Sequence, residues 1–446
     1  MFAFLRCVGD GAVKADYDIA VVGGGAAGLM AARSAAITQQ RGGRRTSVVL
    51  LEGNPKFGKK LLATGNGRCN LSNLELSIGH YHGDRELAAA VIEKFPTQRI
   101  IDEFEKMGLL CRADQEGRLY PNNLQAAAVL QALRFSCEEA QVQCVCGFLV
   151  SSITKEEKEF VLVSDSGERV RAGRCILASG GMASPRHSCS QNGYTLAREL
   201  GHSIVKCLPV LVPVKSSSKL LKPLKGMRSK VYAALLADGK KVAGESGEVI
   251  FNEGALSGIC IFNLSSLVGE WQRTGKLQDK AVKKLEISLD FAENYSWEEL
   301  LHYLRQIKTR HSSLPGGELF SGLLNLKVGQ ELAKSFGIDR QRPVAGITDA
   351  ELKKMTAGIK SQKFEVSGLS SFENAQVTSG GIPLSEVTVQ TMESKICSGL
   401  YMAGELLHVN GDCGGYNLHW AWATGLCAGS SAAKSGCEGL GERKQC

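Results

Sequence analysis

One stretch near the start limits what this chain can fold into more than any other. Asp18-Ile19-Ala20-Val21-Val22 runs straight into Gly23-Gly24-Gly25-Ala26-Ala27-Gly28, and an alanine-rich segment then continues to about Ile37. A buried-type strand that meets G-x-G-x-x-G and opens a helix is the first half of a parallel βαβ unit. Gly23 permits the tight turn, Gly25 lets backbone approach a pyrophosphate, and Gly28 lets the helix lie close against the strand. A second apolar run, Ser47-Val48-Val49-Leu50-Leu51, ends in Glu52. A carboxylate at that place accepts hydrogen bonds from ribose hydroxyls and repels a 2′-phosphate, so the pattern calls for an adenine dinucleotide without one.

A matching feature lies near the other end. Gly399-Leu400-Tyr401-Met402-Ala403-Gly404-Glu405 reads as an apolar strand running out into an acid. Gly411-Asp412-Cys413-Gly414-Gly415-Tyr416-Asn417 then opens a small-residue helix through Trp420, Trp422 and Gly425. Free N–H groups and the positive end of such a helix suit a phosphate, a ribityl chain or an electron-rich ring. Two further stretches share this texture. Gly58 to Asn73, with Lys60, Gly65, Asn66, Gly67, Arg68, Cys69 and Asn70, is a loop able to lay N–H groups and a guanidinium against a polar ligand. Cys175-Ile176-Leu177-Ala178-Ser179-Gly180-Gly181 is a strand that breaks into small residues, as a strand passing beside a nucleotide must.

Composition narrows the class. A chain of 446 residues can bury a large core in two or three domains. Fifteen cysteines without a regular framework, no C-x-x-C, and an opening Phe2 to Leu5 run cut short by Arg6 imply a reducing cytoplasm, no signal peptide and no metal centre. No apolar run is long enough to span a bilayer, so no membrane partner is expected. The net charge of +8 is read as diffuse, with Arg41, Arg44 and Arg45 a solvated loop and no nucleic-acid partner expected. Oligomeric state is not legible.

The expected order is an α/β fold whose first domain is interrupted. Residues 1–15 and 437–446 are expected to be disordered, and 16–200 form the first part of the dinucleotide domain. Within it a helical stripe covers 86–107, Gly117 to Pro121 is a loop before a helix over 124–140, and Val142 to Ile153 forms a meander with Glu159 to Ser164. Residues 201–292 read as an inserted β domain, 293–360 as a helical subdomain, 361–372 as a returning strand, and 373–436 as the second part of the first domain.

In this order the motifs GGGAAG, GKKLLATGNGRCNLSN, LASGG, GEVIFNEGALSG, VTSGGI, TMESK and GELLHVNGDCGGYNLHWAWATG resemble the BaiN/YhiN-like family of FAD-binding oxidoreductases, from about Tyr17 to Ala433. The resemblance implies a glutathione-reductase-type, Rossmann-like FAD domain interrupted by a β-barrel domain that carries a small helical insertion. It also implies non-covalent FAD, so His408 and His419 are not expected to be attachment points. Carried over by position, Gly23, Gly25, Ala26, Ala27 and Gly28 would meet the pyrophosphate and Glu52 the adenosine ribose. Lys60, Asn66, Arg68, Cys69 and Asn70 would line the ribityl and ring side, and Ala178, Ser179 and Gly180 would pass the nucleotide. Gly404 and Glu405 would meet the ribityl and phosphate region, and Asp412, Gly415, Tyr416 and Asn417 the flavin ring. Met182 to Ser188 departs from the Tyr-Pro-Lys-Thr-like segment of relatives.

The activity so implied is hydride transfer from NAD(P)H through flavin to an activated C=C bond, first of all in 3-oxo-Δ4/Δ6 bile-acid (steroid) intermediates. A flavin oxidase of small amino ketones or amines using O₂ is the alternative. A flavin-bearing RNA-binding or RNA-modifying protein is the competing class, motivated by the charge. A proton donor is worth about 10² to 10⁴ in rate, and Tyr416 and Tyr120 are the candidates. No second G-x-G-x-x-G follows a strand, so a reduced nicotinamide would need a less regular groove.

Overall fold

The computed structural model describes residues 16–38, 45–187 and 191–435. The expected extensions at 1–15 and 437–446, together with Arg41, Arg44 and Ser188, lie outside the described residues. The chain divides into two units, one running to Leu208 and resuming at Val377, the other spanning Pro209–Gln376.

The first unit is built on β1 (Asp16–Val22), α1 (Ala26–Ile37), β2 (Val48–Glu52), β3 (Gln143–Cys146), β4 (Arg169–Leu177), β5 (Leu400–Met402) and α2 (Tyr416–Lys434). The strands lie in the order β5-β4-β1-β2-β3, every neighbouring pair parallel. Every residue of β2 is buried, as expected for a parallel strand covered on both faces. Parallel alignment brings all five carboxyl ends to one edge, where open α/β sheets bind their ligands. Helices α1 and α2 approach backbone to backbone: a Cβ on Gly425 would sit 2.6 Å from the Ala27 carbonyl, and one on Gly429 2.2 Å from that of Ala31. The buried Trp420 and Trp422 indoles donate to the carbonyls of Gly404 at 3.2 Å and Leu71 at 3.0 Å. Each ring thereby buries its area with its N–H satisfied.

Three local expectations are corrected. The stripe over 86–107 is two helices, Arg85–Lys94 and Thr97–Lys106, because Pro96 has no N–H to continue the first and restricts the residue before it. The run 142–153 divides at Gly147, where φ is +74°: its first half is β3, and only Val150–Glu156 pairs with Glu159–Ser164. Arg118–Pro121 is a strand paired with Cys111–Ala113 and Ser72–Asn73, not a loop.

The second unit carries a seven-stranded sheet in the order Gln362–Glu365, Leu285–Asp290, Arg228–Ala237, Lys240–Asn252, Ala255–Ser257, Val214–Lys215, Gly368–Leu369. Its first and last strands are separated only by Val366 and Ser367, whose N–H groups donate to Leu285 and Lys215 at opposite ends of the order, each at 2.9 Å. Laid flat, seven strands would be about 29 Å wide, and that link reaches only about 11 Å. The sheet therefore curls until its edges approach. Helices Trp297–Arg310 and Asp349–Lys360 each begin with a capping box, Ser296 with Glu299 and Thr348 with Glu351. The segment 201–292, expected as an inserted β domain, also holds a helix, Ile259–Thr274, which stops at Gly275 in the left-handed conformation (φ 69°).

Candidate functional site

At the carboxyl edge of the sheet the three motif glycines have different neighbours. A Cβ on Gly23, whose φ is +105°, would lie 2.5 Å from the Ala178 carbonyl oxygen, and one on Gly28 only 1.7 Å from that of Gly23. On Gly25 it would meet nothing within 4 Å. Gly23 and Gly28 are thus demanded by the fold, and Gly25 faces open space beside the first turn of α1. Gly180 (φ +80°) is open in the same way. Ala26 is half-buried at the mouth of the turn, and Ala27 is buried, 2.8 Å from where a Gly404 side chain would begin. The Ser179 hydroxyl points toward Gly193, 1.8 Å from where a Cβ there would stand.

Glu52 closes β2 with 8% of its surface exposed. Its carboxylate accepts from the Gly24 N–H at 2.7 Å and from the Asn54 N–H and side-chain amide at 2.7 and 2.8 Å. A carboxylate offers about four acceptor positions, so about one remains for an outside donor while Asn54 keeps this pose.

The loop after Lys60 is bent by four left-handed residues, Gly65, Asn66, Gly67 and Cys69 (φ 55°, 55°, 81° and 58°). Asn66 and Arg68 are exposed, with the Arg68 guanidinium 5.4 Å from the centre of the Tyr120 ring. Cys69 is fully buried and its thiol is pushed up to about 12 by that burial, so it stays neutral. The Asn70 side-chain oxygen is buried without a hydrogen-bond partner, 2.6 Å from where a Cβ on Gly415 would stand. The loop is stitched to α2, since the Asn73 amide donates to Gly414 at 3.0 Å and Trp422 reaches Leu71.

The corner before α2 is locked from within. The Asn417 oxygen accepts from the Gly411 N–H at 2.8 Å and its amide donates to the Gly411 carbonyl at 2.7 Å, so the side chain expected on a ligand is engaged in closing the turn. Tyr416 is buried, stacked on His80 at 4.3 Å, and its hydroxyl donates to the Glu75 carbonyl at 3.3 Å. Asp412 is held by two groups the motif reading did not include, His82 Nε2 at 2.8 Å and His80 Nδ1 at 3.3 Å. Burial raises its carboxyl, but the bonds and charges of both histidines outweigh burial and the result is a lowered pKa. His80 ends the turn Ile78–His80 and His82 lies in the short strand Tyr81–Gly83, so the two flank Tyr81, which is buried.

A second carboxylate ties three segments together. Glu405 meets Lys60 Nζ at 2.6 Å and accepts from the Thr378 N–H at 2.9 Å. The Thr378 hydroxyl in turn accepts from the N–H groups of Met182 and Ala183, fixing the start of the divergent segment. Tyr120 stands buried beside Arg68, and burial raises its phenol above the ordinary value.

His419 faces inward from the first turn of α2. Its Nε2–H donates to the Phe95 carbonyl at 2.9 Å and its Nδ1 accepts from the Ser72 hydroxyl at 2.8 Å, so the neutral ring is fully used. Burial pushes its pKa down to about 4. The folded state resists the proton that the unfolded chain takes up below about 6.5, so stability present above that pH is lost as pH falls toward 4, by about 3 kcal/mol in all. Denaturant titrations at pH 7.5 and pH 5 should show this loss, and His419→Gln should flatten the difference. An unchanged pH dependence in that variant would contradict the assignment. His408 lies 3.5 Å from Asp84.

Among the described residues no three His, Cys, Asp or Glu gather as a metal site, and no helix is long and apolar enough to cross a membrane. The family model described as the HI0933-like protein Rossmann domain matches residues 17–431. The chain is 34% identical over 391 residues to the 3-dehydro-bile acid delta(4,6)-reductase of Clostridium scindens, covering 87% of this chain and 93% of that one. It is 26% identical over 397 residues to the ribosomal RNA dihydrouridine synthase of Haemophilus influenzae, with the same coverage. Among solved structures it is similar to the 3-ketosteroid delta1-dehydrogenase of Sterolibacterium denitrificans, with a TM-score of 0.48 and 12% identity over 94% of this chain and 100% of that one. The glycine turn, the acid-ended second strand and a family match spanning nearly the whole chain lead to one conclusion: this protein belongs to the HI0933-like Rossmann family.

Proposed function

We propose that this protein is an FAD-dependent reductase of C=C bonds conjugated to a carbonyl, with a reduced nicotinamide, NAD(P)H, as electron donor. The observation that carries the reading is the gathering of Gly25, Glu52, Asn70, Gly180 and the start of α2 in one unit, with Gly25 open and the Asn70 oxygen unpartnered. These features fit a non-covalent dinucleotide: space where phosphates approach a helix end, and an unused acceptor where a polar ring edge would need one. FAD, when bound, supplies hydride from its reduced ring to an electron-poor carbon.

The chain's own residues do the rest. The N–H groups of Gly25 and the first turn of α1 would hold the pyrophosphate, and Glu52 one ribose hydroxyl. Lys60, fixed by Glu405, would sit along the ribityl side, and the start of α2 would favour negative charge on the ring. Tyr120 is the better proton donor of the two tyrosines, because burial keeps its phenol protonated while the Tyr416 hydroxyl is engaged by Glu75.

The names of the two curated relatives describe saturation of a C=C bond, in a 3-oxo bile acid and in a uracil ring. The higher identity favours the steroid-like enone as first substrate. A second reading, the uracil ring of RNA, is favoured by the second unit's charge, 24 Lys and Arg against 18 Asp and Glu, which accounts for six of the net +8. Acid precipitation should free FAD, and the yellow protein reduced without oxygen should then be reoxidised by a 3-oxo-Δ4 steroid, with NADH or NADPH sustaining turnover. Rapid reoxidation by air with no consumption of either nucleotide would favour the oxidase instead.

A further inference from the structure

We propose that the exposed ribbon from Lys215 to Lys230 is an RNA-backbone binding surface, an inference that rests on the second reading above. From Pro209 to Ala237 the chain has six cations, Lys215, Lys219, Lys222, Lys225, Arg228 and Lys230, and no Asp or Glu. All six are exposed. The leucines between them are not: Leu220, Leu221 and Leu224 are buried, so the turn from Lys219 to Gly226 is anchored by its apolar side and turns its charges outward. The ribbon is fixed at its end, where Gly226 donates to Phe251 and Phe251 to Met227. Its charge is only partly met inside the chain. Lys225 pairs with Glu253 at 3.0 Å and Arg228 with Glu248 at 3.1 Å, and Lys222 shares the field of Glu253. Lys215, Lys219 and Lys230 form no ion pair among the described residues.

The arrangement selects among anions. A small anionic substrate is held by a few converging, partly buried donors, whereas these cations are strung along a surface strand, a turn and a second strand. A membrane surface is recognised by cations beside exposed apolar side chains, and here the leucines face inward. A long hydrophilic polyanion remains. No Phe, Tyr or Trp lies between Pro209 and Val231, so no ring is offered for base stacking, and recognition is by backbone charge alone. Binding is therefore steep in salt and indifferent to sequence.

The test uses the flavin-loaded full chain and a transcript of a ribosomal RNA domain, with affinity measured from 50 to 200 mM salt. Four contacts to single-stranded backbone contribute a slope of about −3 in log affinity against log salt, about fiftyfold over that range. The variant Lys215→Gln/Lys219→Gln/Lys222→Gln/Lys230→Gln should lose that part of the slope and bind at least about tenfold more weakly at 50 mM, while flavin content, visible spectrum and enone reduction stay unchanged. Wild-type and variant slopes that coincide, absence of RNA binding at 50 mM, or preferential binding to vesicles of anionic lipid would each overturn the proposal. Nucleoside analysis of the transcript judges the underlying reading separately. Ribbon-dependent binding without dihydrouridine supports the surface and removes uracil as substrate. Dihydrouridine formed equally by both proteins keeps uracil and overturns the ribbon.

Discussion

Gly28→Ala should leave little or no folded yellow protein. The added methyl would stand 1.7 Å from the Gly23 carbonyl oxygen, a backbone atom that cannot rotate aside. Relief would require α1 to lift away from β1, and α1 is committed elsewhere: the Ala27 carbonyl faces Gly425 at 2.6 Å and that of Ala31 faces Gly429 at 2.2 Å, measured to the side chains those glycines lack. Any shift that admits the methyl spoils both helix contacts and the turn at once. We expect a cost above about 4 kcal/mol, in the range reserved for overpacked or strained cores. The melting temperature should then fall by roughly 10 °C or more in a domain of this size. Thermal unfolding and soluble yield check this, and wild-type values for both would show that the turn is far looser than described.

Gly25→Val, at the residue that caps α1, should behave in the opposite way. Gly25 has φ −86° and ψ −164°, an extended conformation that valine adopts readily, and its side chain would enter open space. Stripped of flavin, this variant should melt within a few degrees of wild type stripped in the same manner, since nothing is displaced. Its flavin content should nonetheless fall below about a tenth, because the branched side chain occupies the approach to the N–H groups at the start of α1. Folded but colourless protein is the expected result. A Gly25→Val protein that purifies with a full complement of flavin would mean that the pyrophosphate lies elsewhere.

These two glycines show how far the sequence could be read. The motif names both, yet it does not say that one is needed by the backbone and the other by a ligand. That distinction depends on how the turn closes, with the Gly23 carbonyl brought to where a Gly28 side chain would begin while Gly25 is left open. Strands β1 and β2 were legible because a run buried on both faces needs no partner to be recognised. β3 was hidden inside a longer alternating run, and only Gly147, by bending the chain, separates it from the hairpin that follows. Ile259–Thr274 was passed over because its neighbours alternate like strands, although its apolar residues recur at helical spacing and Gly275 marks its stop.

The site was legible as a list and not as a network. Asp412 was picked out by its motif, but His80 and His82 come from a segment some 330 residues earlier and reach it only because Tyr81–Gly83 pairs with Val409–Gly411. Position alone assigns Asn417 and Tyr416 to the ligand, whereas the structure engages the Asn417 amide within the corner and the Tyr416 hydroxyl at the distant Glu75 carbonyl. The cationic ribbon needed only a count of acids between Pro209 and Ala237, which an average over the whole chain conceals.

A flavin held in the cradle at the sheet edge, as proposed, should reduce a C=C bond conjugated to a carbonyl. The most direct measurement is the oxidative half-reaction: protein photoreduced without oxygen is mixed with a 3-oxo-Δ4 steroid, and the flavin and enone bands are followed together. Oxidised flavin should return as enone absorbance disappears, one for one. A reduced flavin that ignores both the enone and a uracil-containing transcript, yet is reoxidised at once by O₂, would contradict it.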